Sequence, residues 1–154
     1  MKKVQMMLLA CMVMALAALP AAAREKVYRA KLSGDQGVPK VNTPARGGLK
    51  ITYTGKEMTF RLSLSRITSP TAAHIHRGRK GENGTPVAGL FGGPPKLGSF
   101  DGVLAQGAIS NESLMGDLEG RSIADLARLI ESGEAYVDVL TVTYPLGEIS
   151  GRIK

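Results

Sequence analysis

His74 and His76 are the only histidines of the chain, one residue apart in Ala72-Ala73-His74-Ile75-His76-Arg77. In an extended segment, residues two apart point to the same side with backbones about 7 Å apart, so both imidazoles can meet one ion while Ile75 turns into a core. Imidazole suits copper and zinc, and tight sites for either metal use three or four protein donors. The sequence supplies two imidazoles and, beyond Cys11, no thiolate, so carboxylates must complete any site. Asp138 is the first choice, with Glu148 and Glu82 as further donors, although nothing in their spacing places them. The plainer reading is a hydrogen-bonded histidine pair on a half-exposed sheet face, holding the loop after it through backbone carbonyls. Redox catalysis at copper would need a fixed shell with an open position, which two histidines build poorly. No nucleophile elbow, phosphate loop or helical zinc motif occurs, so no catalytic residue is assigned. Arg77, Arg79 and Lys80 follow the histidines as the one dense basic group. They can receive an acidic ligand or partner, or stand as a solvated loop. Glu148 and Arg152 share strand parity and are expected to pair across the last strand.

Strict alternation dominates the elements that must carry these residues. Leu49, Ile51 and Tyr53 alternate with Lys50, Thr52 and Thr54, and Met58, Phe60, Leu62 and Leu64 alternate with Thr59, Arg61, Ser63 and Ser65. This predicts two half-buried strands joined by a hairpin at Gly55, Lys56 and Glu57, with Gly55 at positive φ. An earlier strand is expected over 26–32 and a Gly- and Pro-rich loop over 34–48. Further strands are expected over 72–77, 86–91, 99–109, 134–142 and 147–154, with a glycine-rich loop over 78–86. One segment departs from the pattern. Ser122 and Asp125 have capping-box spacing, Ile123, Leu126, Leu129 and Ile130 share a helical face, and Gly133 supplies a stop. A helix that short is marginal alone, so its apolar face must lie on the sheet. The expectation is an all-β fold of about seven or eight strands, an antiparallel sandwich or Greek-key barrel, with one short covering helix near residues 122–132.

The ends and the charge bound the setting. Lys2 and Lys3 precede an apolar run from Val4 to Leu19, and Pro20-Ala21-Ala22-Ala23 carries small residues, so 1–23 reads as a secretory signal and 24–154 as one domain. Leu8-Leu9-Ala10-Cys11 resembles a lipoprotein box, but Cys11 lies inside the apolar run, which argues for cleavage after Ala23. The expected product is periplasmic or secreted, does not span a membrane, and lacks cysteine, so packing and strand pairing alone must hold it. The formal charge of +7 falls by two with Lys2 and Lys3. That mild basicity, scattered singly, fits solubility and contact with an acidic envelope surface. Four tyrosines and three phenylalanines without a stacking motif, and no basic helix, argue against nucleic acid.

Several stretches resemble the CHRD (chordin-type) domain family: Leu32-Ser33-Gly34, Ala72-Ala73-His74-Ile75-His76-Arg77-Gly78, Ala135-Tyr136-Val137-Asp138-Val139-Leu140-Thr141, and Pro145-Leu146-Gly147-Glu148-Ile149-Ser150-Gly151, with the helix from Ser122 also in place. The resemblance spans nearly all of 24–154. It implies a domain that works outside the cytoplasm, since chordin is an extracellular antagonist of growth factors. At a looser level the histidine pair before a glycine-rich loop looks like the copper strand of copper-zinc superoxide dismutases. The chain departs from the family at Leu140, where members commonly carry histidine, and at Asp138, where asparagine is usual. The combined reading is an exported, non-enzymatic binding or structural module of the envelope or extracellular space. Its alternative is weak copper or zinc handling through His74, His76 and Asp138, with superoxide dismutation behind that.

Overall fold

The computed structural model describes residues 24–154. The signal and Cys11 readings fall on residues 1–23, outside the described residues. Eight strands form: β1 (Lys26–Ser33), β2 (Arg46–Tyr53), β3 (Met58–Thr68), β4 (Pro70–Arg77), β5 (Pro86–Phe91), β6 (Ser99–Ile109), β7 (Ala135–Thr141) and β8 (Ile149–Arg152). Helix α1 spans Ile123–Glu131. The bounds of β5 and β6 match the strands expected over 86–91 and 99–109. β2 starts earlier than its apolar run, because Arg46, Gly47 and Gly48 pair with both Ser33-Leu32-Lys31 and Ser65-Leu64-Ser63.

All eight strands belong to one antiparallel sheet in the order β5-β4-β7-β8-β1-β2-β3-β6. The barrel alternative is thus realised, not two separate sheets. The free edges β5 and β6 approach each other, and the chain leaving β6 reaches across: Leu114 bridges Ala88, and Met115 N–H donates to Val87 O at 2.9 Å. Near-closure leaves little unpaired edge exposed. β3 pairs with β6, while β4 joins β5 in a hairpin at the far side, which is the Greek-key pattern. Ser69 alone makes the corner between β3 and β4, at φ 50°. Its N–H donates to Gly98 O at 2.8 Å and its Oγ accepts from Gly98 N–H at 2.9 Å, so the left-handed residue is tied on both sides.

The interior is filled by the inward residues of the alternation. Leu32, Ile51, Leu62, Ile67, Ile75, Val137 and Val139 are fully buried, each contributing about 1.5–3 kcal/mol relative to exposure. Helix α1 adds Leu126, Ala127, Leu129 and Ile130 to the same core. Its start is set as expected: Asp125 Oδ2 accepts from Ser122 N–H at 3.0 Å and Ser122 Oγ at 2.9 Å. Gly133, at φ 76°, ends it. Glu131, in the last turn, accepts from Lys26 Nζ at 2.6 Å and Tyr28 Oη at 2.7 Å, which ties the helix to β1. Among the described residues no helix is long and apolar enough to cross a membrane.

Candidate metal centre

Two adjacent cross-strand rows on the outward face build the site. In one, His74 of β4 lies opposite Asp138 of β7, which lies opposite Ser150 of β8. In the next, His76 lies opposite Tyr136, which lies opposite Arg152. Ile75, Val137 and Gly151 between them face inward and are buried, as period two demands. Both histidines therefore share a face with the one acidic residue of β7, and Asp138 is buried.

The geometry around His76 is closely set. Its Nδ1 lies 3.0 Å from Gly84 O, a group that can only accept, so Nδ1 carries the proton of the neutral ring and Nε2 keeps a lone pair. That Nε2 is 3.1 Å from Asp138 Oδ1, an ion pair when the ring carries a second proton; with the ring neutral, both buried atoms are without a hydrogen-bond partner. Leaving buried polar atoms unpaired costs about 1–3 kcal/mol each, and either a second ring proton or a shared metal cation satisfies both together. His74 Nδ1 lies 3.9 Å from the same oxygen. Burial pulls the His76 pKa down, yet Asp138 and the Gly84 carbonyl outweigh it and the net shift is upward. For His74, burial dominates and His76 adds to it against Asp138, so its pKa is lowered and the ring stays neutral at neutral pH.

One donor atom from each of His74, His76 and Asp138 falls within 4.8 Å of the others. Donors bound to one tetrahedral zinc stand about 3.4 Å apart, so the pair at His76 and Asp138 is close to that spacing, and His74 Nδ1, 3.9 Å from Asp138 Oδ1, stands slightly farther out. The donor chemistry, imidazole plus carboxylate, suits a divalent transition metal. A cleft of about 250 Å³ is lined by His76 and Asp138 together with Val38, Pro39, Leu146 and Gly147.

The other sequence candidates divide. Glu148 lines the cleft, but Thr43 Oγ1 donates to its Oε1 at 2.6 Å and Thr141 Oγ1 to its Oε2 at 2.8 Å, so its carboxylate ties the β1–β2 loop to the end of β7. Glu82 accepts from Arg79 N–H at 2.9 Å, inside its own loop. The expected pairing of Glu148 with Arg152 does not form. Arg152 Nη1 instead donates to Gly78 O at 2.7 Å and Gly133 O at 2.8 Å, because Glu148 precedes β8 and turns to the threonines. Arg77 and Arg79 both turn to Glu134, with Arg79 Nη2 at 3.0 Å, and Arg77 also meets Asp117 at 3.7 Å. Lys80 sits at the exposed tip of the same loop. Tyr136 was not singled out from the sequence. It stacks on His76 with centroids 5.0 Å apart, and its Oη accepts from Gly84 N–H at 3.0 Å. Its place two residues before Asp138 in the alternation is the signal that could have found it.

Fold and site together define a nearly closed antiparallel barrel carrying a histidine-histidine-aspartate cluster on its outer face. The CHRD domain family matches residues 28–153, from within β1 to just past β8, and the chain belongs to that family. No characterised protein and no solved structure matches it significantly. Leu140 pairs with Ala72 in the next row on the same face as His74 and Asp138, and neither side chain can ligate a metal.

Proposed function

We propose that this CHRD domain is an exported, non-enzymatic binding module whose ligand is copper(II) or zinc, held by His74, His76 and Asp138. The observation that carries this is the pair of buried, partnerless atoms, His76 Nε2 and Asp138 Oδ1, converging 3.1 Å apart beside a neutral His74. Imidazole with a carboxylate favours these divalent ions over copper(I), which prefers sulfur. Three protein donors and an open cleft suit reversible binding, as in buffering or transfer, better than a closed structural site. Export is supported by the charged and apolar start of the chain and by the family. The loop after β4 offers a second contact, for an acidic envelope or extracellular partner, since Arg79 is 74 % exposed in its side chain and Lys80 is exposed beside it.

Dialysis of tag-free protein after exposure to copper or zinc, beside a His74→Ala, His76→Ala variant, tests the metal reading. Stoichiometric metal is expected on the wild type and none on the variant. Equal retention by both, or none by the wild type, would overturn it. For the loop, an Arg77→Ala, Arg79→Ala, Lys80→Ala variant should lose envelope proteins captured by the wild type; an unchanged set removes the loop from consideration.

A further inference from the structure

We infer that Tyr136 is a positioning residue that decides which ring nitrogen His76 offers, and so whether the metal proposed above finds a lone pair. An imidazole with a free choice of tautomer and ring flip presents either nitrogen to the cleft. His76 has that choice removed by one hydrogen bond, Nδ1 to Gly84 O at 3.0 Å, so the bond is only as good as the placement of Gly84.

Gly84 is held from its other side by Tyr136. The phenol oxygen accepts from Gly84 N–H at 3.0 Å, while the same tyrosine ring stacks on the imidazole at 5.0 Å and 16°. His76, Gly84 and Tyr136 thus close a circuit in which each fixes the next. The loop has no slack around it. Arg77 N–H donates to Thr85 O at 2.9 Å, Gly78 N–H donates to Glu134 O at 2.8 Å, and a Cβ on Gly84 would sit 1.4 Å from Arg77 O. Behind Tyr136, the Arg152 guanidinium carbon lies 6.0 Å from the ring centroid and is itself anchored on Gly78 O and Gly133 O. Tyr136 reaches no donor atom of the cluster by hydrogen bond, and it acts through the orientation of one that does bind. Groups hydrogen-bonded directly to a metal-binding histidine, as Gly84 O is, typically alter affinity by about 10–100-fold, and Tyr136, one bond further out, acts at the lower end of that range.

Tyr136→Phe isolates the effect, because it keeps the stacked ring and removes only the oxygen. Two readouts are needed on the same proteins. The first is the His76 tautomer in metal-free protein, from nitrogen-15 NMR at a pH well above the imidazole range, together with exchange of the Gly84 amide. The second is zinc affinity by competition with a chelator. The wild type should show Nδ1–H alone and a protected Gly84 amide. The variant should show mixed tautomers, a faster amide and zinc binding weaker by about tenfold, with a cooperative thermal transition kept. A variant that retains Nδ1–H alone, or a wild type that carries Nε2–H, overturns the inference. Zinc binding absent from the wild type would remove the metal reading, while the tautomer comparison still decides whether Tyr136 sets the ring.

Discussion

Asp138 and His74 occupy directly opposed positions in the β4–β7 ladder, yet Asp138 Oδ1 lies nearer the diagonal His76, at 3.1 Å, than its own partner His74, at 3.9 Å. The carboxylate leans across the row boundary and stands between two imidazoles. An aspartate kept only to pair with one neighbour would not need this position, and a ligand shared by both histidines would.

Asp138→Asn should separate stability from binding. An amide group can donate to His76 Nε2, replacing two buried lone pairs with a hydrogen bond worth about 0.5–1.5 kcal/mol. The variant is expected to be at least as stable as the wild type in chemical denaturation and to retain no metal after dialysis. A loss of stability with unchanged metal content would contradict the placement of Oδ1.

Gly84→Ala should be costly even though the residue lies in a loop. A Cβ there would meet Arg77 O at 1.4 Å, so the backbone must move and the bond to His76 Nδ1 must break. Overpacking of this order costs about 1–3 kcal/mol. The denaturant midpoint should fall accordingly, whereas Gly81→Ala, with open space around its Cβ but φ at 83°, should cost less.

Glu148→Ala tests whether that carboxylate is structural. Removing it leaves the buried Thr141 hydroxyl proton without its acceptor and cuts the tie from Thr43 to the end of β7, while Tyr144 N–H and Ala45 N–H still donate to the two hydroxyl oxygens. A loss of about 1–3 kcal/mol is expected, smaller for Glu148→Gln, which keeps one acceptor oxygen. A change below about 0.5 kcal/mol would mean that the threonines find other partners.

Asp125 gives the helix a pH dependence of known sign. The hydrogen bonds from the Ser122 backbone and side chain hold its pKa below the ordinary carboxylate value. A lowered folded-state pKa contributes stability that is fully present above the unfolded value and lost as pH falls through the folded one. The thermal midpoint of wild type minus Asp125→Asn should therefore be positive at about pH 6 and shrink toward zero by about pH 2. A constant difference across that range would assign the effect elsewhere.

Local pattern determined much of this protein directly from its sequence. Period two over 49–65 placed β2, β3 and their hairpin, with Gly55 at φ 90° as expected. Ser122, Asp125 and Gly133 placed α1, because a capping spacing and a stop residue are satisfied within one turn of chain. The same period put His74 and His76 on one face and Ile75 in the core. What only the tertiary structure decided is register and closure. Asp138 became a neighbour of the histidines because β7 pairs with β4 at that offset, and one residue of slip would have turned Asp138 inward and brought Val137 or Val139 to the histidines. Glu148 and Arg152, equal in parity, went to different partners because the threonines and the Gly78 and Gly133 carbonyls are brought to them by separate turns of the barrel. Alternation specifies which face a side chain takes, but the identity of the group facing it across the sheet depends on contacts between segments distant in the chain, and those exist only once the barrel has nearly closed.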